Sequence, residues 1–238
     1  MAFERVSISK KVQGWCGWSF LLEIIDACRS PFERGLVATL FETGCRVSEL
    51  LMLRKDNFLF DQHPELIVVD GAPVLKKYEK VDEIPDPKKK SGKKWITKPV
   101  ERYRTFPIKK SEPLVEPMLE WLDKVRGGKL FPQFDKVKNK RHKVLHVIRK
   151  IGSRIKRERI PYTRVPPNKL WPHWFRDQRA RQLTWDYGFA PIDLAGFFNW
   201  EMPQLGVIPH YTKPDWRELA KKMGVDIRDE MRKLRGYK

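Results

Sequence analysis

Residues 40–58 read LFETGCRVSELLMLRKDNF, and one arginine in that run, Arg46, stands where one helix should end and the next should start. Upstream, residues 18–44 (WSFLLEIIDACRSPFERGLVATLFETG) carry apolar side chains at helical spacing. Ser30 before Pro31, with Glu33 three places on, has the form of an N-cap followed by proline at the first helical position, so the run divides into two helices. Gly44 suits the C-terminus of the second. Residues 46–53 (RVSELLML) then resume the helical period, with Ser48 and Glu49 in the first turn. Arg46 therefore sits at a helix–helix corner. It could be structural, bonding loop carbonyls, or chemical, holding an anion.

The chain has 238 residues, enough for one large domain or two small ones, and carries 49 Lys and Arg against 30 Asp and Glu, a formal charge of +19. Such an excess points to a polyanionic partner, with nucleic acid foremost. No run of about 18 apolar residues is present, and the N-terminal MAFERVSISKK has no apolar signal-like segment, so a cytoplasmic, DNA-associated protein with no membrane partner is expected. Cys16, Cys28 and Cys45 are odd in number and lack C-x-x-C spacing, which implies buried, reduced thiols rather than a disulfide framework or a zinc site.

Beyond the corner, residues 65–81 (ELIVVDGAPVLKKYEKV) and 101–108 (ERYRTFPI) are β-branched and aromatic with Gly and Pro punctuation, and read as two or three strands of a small antiparallel sheet. Residues 82–99 (DEIPDPKKKSGKKWITKP) read as a long basic hairpin tip. The rest reads as helical, over 112–125, 141–159, 172–188, 190–200 and a tail at about 214–238. The expected fold is α+β, mostly α-helical, with a small three-stranded antiparallel sheet. A single domain over 1–238 is expected, without repeats or a linker.

The run 43–58 (TGCRVSELLMLRKDNF) resembles the first arginine box of the tyrosine recombinases, the phage-integrase-like family. Residues 172–183 (PHWFRDQRARQL) resemble the second box, a histidine and an arginine three residues apart at a helix start. GFFNW at 196–200 and PHYTK at 209–213 then fall where the family places its histidine or tryptophan and its nucleophilic tyrosine. Four boxes in order, from Arg46 to Tyr211, span about the whole family catalytic domain. The resemblance implies a recombinase-type catalytic domain that cleaves and rejoins double-stranded DNA through a 3′-phosphotyrosine, without metal or cofactor. Its site would be Arg46, Lys77, His173, Arg176, Trp200 and Tyr211. It also implies oligomers on DNA, with the C-terminal tail folding back in cis or docking on a neighbour. Fewer than twenty residues precede the first helix of the sequence, so a catalytic domain without the family's N-terminal clamp is expected.

The chemistry explains why these residue types belong together. A phenol with a pKa of about 10 must attack an anion, so the phosphate charge has to be neutralised first. Two guanidinium forks can bind phosphate oxygens in pairs and stabilise the extra charge of the transition state. A lysine would protonate the departing 5′ oxygen, and a histidine or tryptophan would add a hydrogen bond. Some positions carry alternatives. Trp200 and Tyr211 lie farther apart than in the family, and His210 offers another donor. Lys76 and Lys77 alternate along a strand, so one of the two can face the phosphate, and Lys77 is taken as that one. Tyr162 and Tyr187 are rival phenols, but Tyr162 precedes both His173 and Arg176 of the second box, and Tyr187 lies in the helix whose start supplies them.

A second basic feature is the segment 141–159, where Val144, Ile148, Ile151 and Ile155 form an apolar stripe and Lys143, Lys150, Arg154 and Arg157 repeat at similar spacing. With Lys93 and Lys94 of the hairpin tip, these are the expected DNA-backbone contacts, which position a duplex without reading its sequence. Two other functions stay open on sequence grounds: a DNA-binding protein on the same scaffold that does not cut, and a topoisomerase-like enzyme that lets strands rotate before resealing.

Overall fold

A computed structural model describes residues 14–74, 78–85, 93–99, 102–200 and 213–227, with the backbone alone for 78–85 and 93–99. Helix α1 (Trp18–Asp26) turns into α2 (Pro31–Thr43) at a corner where the Glu33 N–H donates to Ser30 Oγ at 3.2 Å and Pro31 occupies the first turn. That is the cap expected from the sequence, and it spares the helix an orphan donor. Residues 35–43 of α2 are all buried, so this helix runs through the middle of the molecule. Gly35 is what lets it lie close to Trp121, whose ring would overlap any added Cβ.

Gly44 takes a left-handed φ of 55° and stops α2, and the four-residue helix α3 (Val47–Leu50) starts directly after Arg46. Strands β1 (Phe58–Leu59) and β2 (Leu66–Val74) follow, then β3 (Tyr78–Pro85), β4 (Lys93–Pro99) and β5 (Arg102–Lys109). One antiparallel sheet has the order β1-β2-β5, with Phe58 opposite Val69 and Leu66 opposite Lys109; β3 and β4 pair antiparallel as a separate two-stranded sheet. A three-stranded antiparallel sheet is thus present, but its third strand is the two-residue β1, too short to leave a sequence signal. The segment 82–99, expected to be a long basic hairpin tip, is strand over 82–85 and 93–99, because a two-stranded ribbon is held by its own main-chain ladder and needs no apolar face.

Helices α4 (Val115–Lys124), α5 (Lys140–Gly152), α6 (Pro172–Tyr187), α7 (Pro191–Phe198) and α8 (Trp216–Lys222) complete an α+β fold. Helices α4 and α6 flank α2, and one apolar cluster joins Phe20, Phe41, Phe106, Phe175 and Phe197 across helices and sheet. Each such side chain contributes about 1.5–3 kcal/mol by leaving water. Helix α8 packs in cis on β5 and α7, where Ala220, Val225 and Ile227 meet Leu66 in a small second cluster. No helix among the described residues is long and apolar enough to cross a membrane.

Two expectations need correction. Helix α5 ends at Gly152 rather than near residue 159, because Gly152 lies against the Pro167 carbonyl and the chain turns there. Arg154 and Arg157 are therefore not part of a helical stripe, although the apolar residues Val144, Ile148, Ile151 and Ile155 are all buried as expected. The three cysteines are buried and unlinked, and burial pushes the thiols of Cys16 and Cys28 up to about 12, which makes both inert.

Candidate active site

Arg46 is the residue before the first turn of α3. Its main-chain N–H donates to Glu49 Oε2 at 2.8 Å and its Nη1 to Glu49 Oε1 at 2.7 Å, so one carboxylate fixes both ends of the residue. Glu49 is 1 % exposed, whereas the Arg46 side chain keeps 26 % of its surface.

From near the start of α6, 127 positions beyond Glu49 in sequence, Arg176 reaches the same carboxylate. Its Nη1 lies 3.6 Å from Glu49 Oε2 and donates to the Gly44 carbonyl at 2.6 Å, while Nη2 donates to the Phe198 carbonyl at 3.4 Å. Arg176 is 1 % exposed. Phe198 and Trp200 close over it: the guanidinium carbon is 4.5 Å from the Phe198 ring centre and 5.6 Å from that of Trp200, and the two rings stack at 4.7 Å. Asn199, with a left-handed φ of 51°, ends α7 and turns Trp200 back onto this stack.

A third arginine, not anticipated from the sequence motifs, belongs to the same group. Arg104 on β5 is 4 % exposed and donates Nη1 to the Phe197 carbonyl at 2.7 Å and Nη2 to the Thr43 carbonyl at 2.8 Å, with Cys45 Sγ at 3.1 Å. Arg104 and Arg176 thus bridge the same two places, the carbonyls of residues 43–44 at the end of α2 and of residues 197–198 at the end of α7. Helix C-termini carry partial negative charge, which is why two buried cations are tolerated there. A signal was available in residues 102–108: Arg104 shares strand parity with buried Phe106 and Ile108, and a charged residue at an inward position needs a partner.

The electrostatics follow from this crowding. Burial alone would raise the Glu49 carboxyl, but the Arg46 N–H and the guanidiniums of Arg104, Arg176 and Arg46 outweigh it and hold the group below its ordinary value. Burial, together with the charges of Arg104 and Arg46, brings Arg176 down to about 9, so it stays protonated at neutral pH while repelled by its neighbours. Two guanidiniums, those of Arg46 and Arg176, approach the Glu49 carboxylate, and the charge of Arg104 acts on it from nearby.

His173 is placed differently. It stands near the start of α6 with Arg176, but its side chain is 55 % exposed and its Nε2 lies 3.5 Å from Asp177 Oδ1, so the three-residue spacing does not bring it to the buried cluster. Lys77 and Tyr211, together with the side chains of Lys93 and Lys94, lie outside the described residues. Of the rival phenols, Tyr187 donates its hydroxyl to Glu112 Oε1 at 2.8 Å, and burial followed by the Glu112 charge pushes it upward, which unfits it as a nucleophile. Glu112 and Glu42 also enclose Arg179, at 2.8 and 3.2 Å, in a second buried ionic group.

The other expected DNA contacts divide. Lys143 and Lys150 are exposed on α5, and Arg157 is exposed and paired with Glu23 at 2.5 Å. Arg154 instead donates Nη1 to the Ala27 carbonyl at 3.0 Å and both nitrogens to Glu33, at 2.5 and 3.1 Å, with 15 % of its side chain exposed. It pins the segment after α5 to the α1–α2 corner and is not placed to meet a duplex. Among the described residues, no three His, Cys, Asp or Glu side chains gather as they would around a metal ion. No protein-family model matches the chain, and no curated protein matches it.

Proposed function

We propose that the chain is a DNA strand-cleaving and rejoining enzyme of tyrosine-recombinase type, in which Arg46 and Arg176 bind the scissile phosphate and Tyr211 attacks it. The observation that carries this reading is the convergence of Arg46 and Arg176 on Glu49, with Arg104 behind them and Trp200 over Arg176. A surplus of buried positive charge is costly unless an anion offsets it, and a phosphodiester beside Arg46 supplies that anion. In this reading Arg46, whose side chain is partly exposed, turns a guanidinium nitrogen to one phosphate oxygen. Arg176 contributes chiefly its field, and its long 3.4 Å bond to Phe198 is the one a phosphate oxygen can replace. Glu49 holds Arg46 in place. Tyr211 would form a bond to phosphorus as the bond to the 5′ oxygen breaks, with a lysine such as Lys77 giving that oxygen its proton. His173, on the exposed rim of α6, would meet the DNA only after it docks.

The 1 % exposure of Arg176 and its two carbonyl partners favour a second reading, a scaffold that binds duplex DNA without cutting it. A nicked duplex that loses the fragment bearing the attacking 5′ hydroxyl separates the two. Cleavage leaves a covalent protein–DNA adduct that survives boiling in detergent, whereas binding alone leaves none.

A further inference from the structure

After α5 the chain makes a loop at residues 160–165 that is closed by its own hydrogen bonds. The Ile160 N–H donates to the Val165 carbonyl at 2.8 Å, the Thr163 N–H donates to the Ile160 carbonyl at 3.1 Å, and Thr163 Oγ1 accepts from the Val165 N–H at 3.2 Å. Ile160 and Thr163 are buried, which anchors the base of the loop.

The tip is Pro161–Tyr162, and Tyr162 has a φ of 56°. Among the described residues other than glycine, Asn199 alone shares a positive φ, and asparagine is suited to that region by its short polar side chain. Proline followed by a positive φ is the type II turn arrangement, in which glycine or asparagine is favoured at the position Tyr162 holds. The Tyr162 backbone is fixed: its carbonyl accepts from the Gly14 N–H at 3.4 Å, and Gly14 lies so close that a Cβ there would come within 2.9 Å of the Tyr162 Cβ. The ring, by contrast, is 78 % exposed. The fold therefore holds an aromatic side chain outward in a backbone conformation that disfavours it, and gains little packing from the ring. Within six residues of it along the chain stand the exposed cations Lys156, Arg159 and Arg164.

We propose that Tyr162 is a contact residue for duplex DNA, its ring packing against deoxyribose and base edges while the flanking cations hold the adjacent phosphates. An aromatic ring amid backbone-seeking cations suits nucleic acid, since the cations supply attraction without orientation and the ring supplies an apolar, sequence-tolerant contact. The proposal rests on the reading above that the chain binds duplex DNA.

The test is fluorescence anisotropy of a labelled duplex, titrated with wild type, Tyr162→Gly and Tyr162→Phe at several salt concentrations, beside thermal melts of each protein. Tyr162→Gly is expected to lose about tenfold in affinity, with the slope of log K against log salt unchanged because no phosphate contact is removed, and to melt at the same temperature or higher. Tyr162→Phe should bind as wild type. Undiminished binding by Tyr162→Gly would overturn the proposal, as would a melting temperature that falls along with the affinity, or a Tyr162→Phe variant as weak as Tyr162→Gly. If wild type itself fails to bind duplex, the functional reading falls as well. If wild type binds and Tyr162→Gly binds equally, the role of Tyr162 alone is refuted.

Discussion

Replacing Arg104 by methionine tests the frame on which the candidate site is built. The substitution keeps an unbranched, apolar stem of similar length but removes the donors to the Thr43 and Phe197 carbonyls, at 2.8 and 2.7 Å. Each hydrogen bond from a charged donor contributes about 1.5–3 kcal/mol, so the gross loss is about 3–6 kcal/mol. Two gains offset part of it. A cation no longer has to be desolvated at a site 4 % exposed, and Arg176 loses a like-charged neighbour. The expected net cost is about 2–4 kcal/mol, which for a chain of this size lowers the melting temperature by about 5–15 °C. Far-ultraviolet circular dichroism during heating measures it, and urea unfolding checks the free energy. Because Arg104 ties the end of α2 to the end of α7, and Arg46 and Trp200 follow those ends directly, cleavage per folded molecule should fall too. A variant that melts within about 2 °C of wild type would refute the claim that Arg104 joins the two ends, since the offsets alone cannot cancel both bonds.

Other expectations follow from the same energetics. Burial and the neighbouring Glu112 raise Glu42 well above its ordinary 4.5, so the neutral carboxyl favours the fold at low pH and that contribution is lost as pH rises through the raised value. Glu33, held low by Arg154, and Glu49 act in the opposite sense, contributing above the ordinary carboxylate range and losing their effect as pH falls through their depressed values. Glu42→Gln should therefore abolish a decline in stability as pH rises above the ordinary carboxylate value in urea titrations, and parallel curves for the two proteins would contradict this. Gly152→Ala gains up to about 1 kcal/mol of helix propensity but would drive a methyl into the Pro167 carbonyl, at a cost of about 1–3 kcal/mol or more. It should lower the melting temperature, and a stabilised variant would show that α5 does not lie against that carbonyl. Arg46→Lys keeps the charge on a partly exposed side chain but loses the paired fork, so cleavage should fall by orders of magnitude while the melt barely moves. Arg176→Lys lacks that contrast, because Arg176 also holds two buried carbonyls.

What was legible in the sequence was local. The Ser30–Pro31 cap, the Gly44 stop and the restart after Arg46 depend on neighbours within four residues, and each is found where its pattern predicts. The apolar stripe of α5 is equally local, and all four residues are buried. Arg154 escaped because its role depends on Glu33, 121 residues away, and nothing in the spacing of its own segment announces that partner. The pairing of β3 with β4 was hidden by lysine and proline content, since a ladder of main-chain bonds leaves no apolar alternation to read. Arg104 has the strand parity of an inward residue, but it belongs to none of the family's boxes, so no motif assigns it to the site. His173 shows the opposite failure: spacing on a helix fixes a face to within a turn, and the difference between 55 % and 1 % exposure lies within that tolerance.

The most direct test of the central claim is to map the covalent bond. Wild-type protein is incubated with a nicked duplex carrying a demonstrated binding site, the boiled and detergent-resistant adduct is digested with protease, and the DNA-linked peptide is sequenced. The account predicts a 3′-phosphate joined to Tyr211, with the adduct abolished in Tyr211→Phe while duplex binding is retained. An adduct that persists in Tyr211→Phe, or its absence on a duplex the protein demonstrably binds, would contradict it.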